Sequence, residues 1–76
     1  MIIKFRKKEV TYVEDNLGNT LLSENLADEY SDMGDLRPHL NSILCRASKV
    51  IFNDYTEVDI DGLEGFRVYE ECIYLR

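Results

Sequence analysis

The chain is poor in the residues that build metal centres and disulfide frameworks. Its 76 residues include no tryptophan, one histidine, one proline and two cysteines. Cys45 and Cys72 are far apart in sequence and form no CxxC motif, so they supply neither a disulfide framework nor a four-ligand zinc site. Free thiols in a reducing cytoplasm are the expected state, and a single Cys45–Cys72 bridge is the alternative. We expect neither a metal ion nor another cofactor.

The sequence also lacks the motifs of membrane insertion, export and phosphate binding. Its apolar runs are too short to cross a bilayer, and its first residues show no secretory signal. No glycine-rich phosphate loop is present. His39 and Ser42 lie one helical turn apart, but the sequence offers no group to orient them and no oxyanion pocket. We therefore expect a cytoplasmic protein that is not an enzyme.

Negative charge is abundant. Fifteen Asp and Glu residues oppose nine Lys and Arg residues, which gives a net charge of −6, and 45% of the residues are hydrophobic. This apolar fraction is typical of a folded chain, and the length predicts a single domain over residues 1–76. A net negative surface repels nucleic acid and anionic lipid at long range, and it attracts basic protein surfaces.

The first third of the chain predicts a β-hairpin. Ile3 and Phe5 alternate with basic residues, and a strand-like run resumes over residues 10–13 after a break at residues 7–9, where either a turn or a bulge fits. Asp15–Asn19 predicts a turn, because Asp and Asn side chains bond their own backbone and Gly18 tolerates a positive φ. Residues 20–22 return as the partner strand.

Two helices and a second hairpin are predicted after residue 24. Asn25 caps a helix over residues 26–33 that stops at Gly34, and Asp35 caps a second helix that Asn53-Asp54 ends. The second helix carries apolar residues at helical spacing: Leu36, Leu40, Ile43, Leu44, Ala47, Val50 and Ile51. Residues 56–60 and 66–75 read as strands, with a possible bulge at Glu70-Glu71.

The order of these elements predicts the fold class. Strands and helices fall into the blocks β-β-α-α-β-β, which is typical of an α+β fold. We predict an antiparallel sheet of about four strands with the two helices packed on one of its faces.

Acidic side chains form the candidate contact surface. Glu57, Asp59 and Asp61 occupy alternate positions of a predicted strand, so their carboxylates lie about 6.6–6.8 Å apart on one face. Such a row can imitate a nucleic-acid backbone and occupy a basic groove. Together with acids of the predicted turn and helices, the candidate partner-binding residues are Glu57, Asp59, Asp61, Glu64, Asp28, Glu29, Asp32 and Asp35.

A basic row of the same periodicity offers an alternative. Lys4 and Arg6, with Lys8 as a possible third member, would neutralise the acidic row if the two strands were neighbours. The same basic row argues against direct nucleic-acid binding, because its one nearby aromatic residue, Phe5, points to the opposite face.

In its small size, acidity and lack of a catalytic constellation, the chain resembles the small inhibitors that phages make against host enzymes and defence systems. The resemblance implies a protein-binding module that blocks a basic, nucleic-acid-binding surface of its partner, with an affinity that salt weakens. The alternative is a regulatory or structural homodimer without inhibitor activity. It would use an exposed strand edge or a face that carries Cys45 and Phe52.

Overall fold

Seven short strands form one mixed sheet in the part of the chain that the computed structural model describes, residues 1–30 and 33–76. The elements in chain order are β1 (Ile2–Phe5), β2 (Lys8–Glu14), β3 (Thr20–Ser23), α1 (Glu24–Asp28), α2 (Met33–Ile43), a 3₁₀ turn (Leu44–Arg46), β4 (Lys49–Phe52), β5 (Glu57–Asp59), β6 (Phe66–Tyr69) and β7 (Cys72–Leu75). The strand order is β5-β4-β2-β1-β7-β6, and β3 pairs with β2 as well.

The predicted hairpin around Gly18 is confirmed. β2 and β3 are antiparallel, with Val13 opposite Leu22. The Asp15 side chain accepts hydrogen bonds of 2.9 Å from the backbone N–H groups of Leu17 and Asn19. Gly18 has a φ of 84°, which a residue without Cβ adopts at little cost.

Two tight turns divide segments that the sequence predicts as single strands. Neither turn contains glycine or asparagine. Arg6 and Lys7 have φ values of 52° and 67°, and they join β1 to β2 as a tight turn. Glu70 and Glu71 have φ values of 49° and 62° and join β6 to β7. The break after Phe5 is therefore a turn, and Glu70-Glu71 is a hairpin turn and not a bulge.

β1 and β7 run parallel, although the sequence predicted an antiparallel sheet throughout. Ile3 lies opposite Ile73, and Lys4 lies opposite Tyr74. The pairing joins the two ends of the chain, because β1 is the first strand and β7 is the last. Such a contact between distant segments has no local sequence pattern.

The helices are shorter than predicted. α1 begins at Glu24, and the Ser23 hydroxyl, not Asn25, caps it by accepting a 3.2 Å hydrogen bond from the backbone N–H of Leu26. Gly34 lies within α2 and does not end the helix before it. The predicted second helix ends at Ile43, and residues 49–52 form β4 instead.

The predicted α+β arrangement of about four antiparallel strands with two helices on one face is wrong. The structure is mostly sheet, with seven strands in a mixed sheet and only two α-helices among the described residues. The error arises chiefly at residues 50–52, where Val50 and Ile51 continue the apolar spacing of the helix by coincidence. These residue types favour strands, and Val50 and Phe52 pair with the central strand β2.

The core is one cluster of apolar side chains from both layers. Leu36, Leu40 and Ile43 of α2 are almost fully buried in it, as the helical spacing predicts. The strands contribute Ile3, Phe5, Val10, Val13, Val50, Phe52, Ile73 and Leu75, among others. Along β1, Ile3 and Phe5 face this cluster, so Ile2 and Lys4 stand on the outer face of the sheet.

Candidate functional site

Three acids stand unpaired at the end of the sheet beside β5. Asp59, Asp61 and Glu64 are exposed and line one shallow depression, and we call these three residues the acidic ridge. None of them forms an ion pair or a side-chain hydrogen bond with another residue of the described ranges. Arg6 and Arg76 line the same depression and lower its local charge, but neither pairs with a ridge carboxylate.

Backbone hydrogen bonds hold the ridge segment in place. The N–H of Ile60 donates to Ser48 O at 2.9 Å, that of Gly62 to Ala47 O at 2.9 Å, and that of Leu63 to Leu44 O at 2.8 Å. At its far end, the N–H of Glu64 donates to Arg76 O at 3.0 Å. Leu63 is also buried in the core. A surface fixed in this way loses little conformational entropy on binding.

Glu57 differs from the ridge acids because it has a partner. It lies on β5, and its Oε1 atom is 3.5 Å from Lys49 Nζ on the neighbouring strand β4. β5 ends at Asp59, so the row of three acids predicted along one strand bends at its last member, Asp61. Glu57 therefore has an ion-pair partner, whereas Asp59, although it lies opposite Lys49 in the strand register, and Asp61 have none among the described residues.

The basic row does not neutralise the acidic one. β1, which carries Lys4, is separated from β5 by β2 and β4. Lys8 is used elsewhere: its Nζ atom lies 2.8 Å from Asp54 Oδ2, donates to Thr56 at 2.9 Å and lies over the ring of Phe52. The interpretation in which Lys4 and Arg6 pair with Glu57, Asp59 and Asp61 is therefore wrong.

Acid should destabilise the fold partly through Asp54. The hydrogen bond from Lys8 and, to a smaller extent, those from Thr56 hold the pKa of the Asp54 carboxyl well below its usual value of 3.8. Because the folded pKa is depressed, this carboxylate stabilises the native state above the unfolded pKa, and the contribution is lost as the pH falls through the folded pKa. Urea denaturation between about pH 5 and about pH 2.5 should show a shallower loss of stability for D54N than for the natural sequence. An equal loss of stability with falling pH in both proteins would contradict a stabilising role of the contacts that Lys8 and Thr56 make with Asp54.

Among the acids near the helices, Asp28 and Asp35 already have interactions within the molecule. Asp28 ends α1 and pairs with the N-terminal ammonium of Met1, and Glu29 follows as the exposed C-cap of the helix. Asp35 is exposed in the first turn of α2, where it has an interaction of its own. Asp32 lies outside the described residues. The ridge is therefore the part of the candidate set whose carboxylates line one depression, and a contact role for the whole set stays a prediction.

β1, β7 and β6 present a second surface that the sequence did not reveal. The strand register places Tyr74 between Lys4 on one side and Arg67 on the other. Tyr69 and Tyr74 keep 53% and 38% of their surface exposed, and Ile2 keeps 45%. We call the outward residues of these strands, with the residue that follows β7, the tyrosine face: Ile2, Lys4, Arg67, Tyr69, Tyr74 and Arg76.

The two tyrosines of this face lie in a shallow depression with the arginines. Arg67, Tyr69, Tyr74 and Arg76 line it, and the Arg67 guanidinium is 5.4 Å from the centroid of the Tyr69 ring. The neighbouring Cys72 side chain raises the pKa of the Tyr74 hydroxyl above its usual value of 10.0, so this group is a neutral hydrogen-bond donor at physiological pH. The alternation along β7 is visible in the sequence. Only the pairing of β7 with β1 shows that Lys4 lies beside Tyr74.

The two cysteines are free. Cys45 is exposed in the 3₁₀ turn and Cys72 is buried in β7, which removes the alternative of a Cys45–Cys72 bridge. Phe52 is buried in β4, so the exposed face that Cys45 and Phe52 were to share does not exist. Among residues 1–30 and 33–76, no group of three or more His, Cys, Asp or Glu residues is placed to hold a metal ion.

Comparisons with known proteins give no guide to the activity. The chain matches no family model, no curated protein and no solved structure. In the described ranges, every helix is too short or too polar to span a bilayer. The acidic ridge and the tyrosine face are therefore the features from which function is inferred.

Proposed function

We propose that the protein is a small binding module that occupies a basic surface of a partner protein through its acidic ridge. One observation carries this proposal: within residues 1–30 and 33–76, Asp59, Asp61 and Glu64 are exposed and form no ion pair, whereas Glu57 and Asp54 are paired. Unpaired carboxylates on a fixed backbone attract cationic side chains without first breaking internal contacts.

The partner proposed is a nucleic-acid enzyme or a defence complex whose basic groove the ridge fills. The ridge carboxylates carry the same sign of charge as phosphates, so they can compete for the same Lys and Arg side chains. Inhibition of this kind is steric and electrostatic, so it needs no catalytic residue. The small size and net charge of −6 fit such a role.

We place the module in the cytoplasm. Two free cysteines, one of them exposed, suit a reducing compartment, where thiols persist without pairing. The proposed partners, which handle nucleic acid, are found in the same compartment.

The experiment is a capture assay followed by measurement with the purified partner. The protein is immobilised in a lysate of its native host, the captured protein is purified, and its association rate is measured against the natural sequence and against D59N/D61N/E64Q. We expect the amide variant to associate at least about tenfold more slowly, and salt to slow the natural sequence more than the variant. The captured partner should also lose its own nucleic-acid binding in the presence of the natural sequence.

The matched control removes charge elsewhere. E29Q/E57Q neutralises two acids outside the ridge and should bind the partner as the natural sequence does. Equal association rates for the natural sequence and D59N/D61N/E64Q would refute the ridge as the contact. A tight dimer in sedimentation, with no partner captured, would favour the homodimer instead.

A further inference from the structure

The tyrosine face has the composition of a stacking platform. Its six residues are two tyrosines, one isoleucine and three cations, and no acid is among them. Lys4, Tyr74 and Arg67 follow one another across three adjacent strands, so each ring has a cation beside it. Exposed aromatic rings with flanking Arg and Lys are what single-stranded nucleic acid requires of a protein, because bases stack on the rings while cations contact the phosphates.

The spacing of the two rings suits two bases in succession. Tyr69 pairs with Cys72 on the adjacent strand, and Tyr74 is two residues farther along that strand. The tyrosines are therefore diagonal neighbours on one face, about 7–8 Å apart. Tyr69 keeps about half of its surface exposed and Tyr74 somewhat less, and the Arg67 guanidinium over the Tyr69 ring would move aside for a base.

The area of the face limits the size of the ligand that it can hold. Three four-residue strands cover roughly 13 by 14 Å, or on the order of 200 Å². A standard protein–protein interface needs about 800 Å² on each side. Two or three nucleotides need far less, so a short strand fits within the face.

Neighbouring acids limit the affinity without covering the rings. Glu9 lies opposite Lys4, Glu70 and Glu71 form the β6–β7 turn, and the acidic ridge shares Arg76 with this face. Charges farther away are screened beyond about 8 Å at physiological ionic strength. Binding is therefore expected to be weak and strongly salt-dependent.

We propose that the tyrosine face binds a short stretch of single-stranded nucleic acid, with two bases stacked on Tyr69 and Tyr74 and phosphates held by Lys4, Arg67 and Arg76. The absence of an aromatic residue beside the basic row argued against such binding, and the parallel pairing of β1 with β7 supplies that residue. This inference goes beyond the proposed function and rests on a different surface.

The test uses fluorescein-labelled eight-nucleotide oligouridine and oligothymidine, followed by fluorescence anisotropy. We expect Kd values on the order of 10⁻⁴ to 10⁻⁵ M at low salt, and a slope of log K against log salt of about −2 for three neutralised phosphates. Y69L/Y74L should bind at least about fivefold more weakly, and Y55L, which changes an exposed tyrosine outside the face, should bind normally.

The cations and the ridge give two further readouts. K4Q/R67Q/R76Q should bring the salt slope close to zero, whereas R46Q, at an exposed arginine of the 3₁₀ turn, should leave it unchanged. D59N/D61N/E64Q should bind the oligonucleotide more tightly, because it lacks the ridge carboxylates that repel the phosphates. The same variant should lose the protein partner. The two proposals can therefore fail separately.

NMR chemical-shift mapping on the natural sequence tests the proposal even when a variant does not fold. Titration of the ¹⁵N-labelled natural sequence should move the amide signals of β1, β6 and β7. Three results would overturn the proposal: no binding at millimolar oligonucleotide, shifts confined to other strands, or an octaglutamate peptide binding as tightly as the oligonucleotides. The last result would assign the face to acidic polypeptides.

Discussion

Replacing Ile73 by alanine should lower the free energy of unfolding by about 2–5 kcal/mol. Ile73 is fully buried in β7, between Ile3 of β1 and Val68 of β6. Alanine leaves a cavity at the seam where the two ends of the chain meet. A domain of this length has roughly 4–11 kcal/mol of stability in total, so the variant should lose a large part of it.

Urea denaturation followed by circular dichroism measures this effect, and I2A is the matched control. Ile2 lies at the start of the same strand pair but keeps 45% of its surface exposed, so the same truncation should cost less than about 1 kcal/mol. Equal losses for the two variants would show that β7 does not pack beside β1 as described.

Replacing Gly62 by alanine should destabilise the protein by about 1–2 kcal/mol. Gly62 has a φ of 80°, which a residue with a Cβ adopts only under strain. The added carbon would lie 3.4 Å from Leu44 O, so the cost comes from the backbone conformation and not from a severe clash. Because Gly62 lies between Asp61 and Glu64, the variant should also weaken binding of the protein partner.

Gly65 supplies the control within the same segment. Its φ lies outside the left-handed region, and no heavy atom is within 4 Å of a Cβ built there. Alanine should be neutral at this position or stabilise the fold by up to about 1 kcal/mol, because it restricts the unfolded chain. Thermal unfolding of the two variants side by side checks the contrast. A stable G62A would mean that the ridge turn is not held as we describe.

Local chemistry explains what the sequence predicted well. The Asp15–Asn19 turn follows from side chains that bond their own backbone, and the buried face of α2 follows from the spacing of Leu36, Leu40 and Ile43. The strand at residues 57–59 follows from alternation. Each of these signals lies within a few residues of the element that it specifies.

Tertiary pairing explains what the sequence did not predict. Val50 and Ile51 fit a helical stripe and a buried strand equally well, and only their place beside β2 decides between the two. The turns at Arg6-Lys7 and Glu70-Glu71 use non-glycine residues at positive φ, so the usual hairpin signal is missing.

The candidate sites show the same division. The acids of the ridge are visible in the sequence, but which of them are paired is not, because Lys49 and Lys8 reach their partners across strand neighbours that local patterns do not specify. The tyrosine face gains Ile2 and Lys4 only through the parallel pairing of β1 with β7. Charge patterning identified the residue types, and the sheet order decided their neighbours.

The free energy of unfolding of D59N/D61N/E64Q tests the central claim most directly, namely that the three ridge carboxylates have no partner within their own molecule. Urea denaturation at neutral pH should give a value equal to that of the natural sequence, or higher by up to about 1 kcal/mol, because like charges are removed and no ion pair is lost. A loss of more than about 1 kcal/mol would contradict the claim, since it would mean that the ridge serves the fold and is not free to meet a partner.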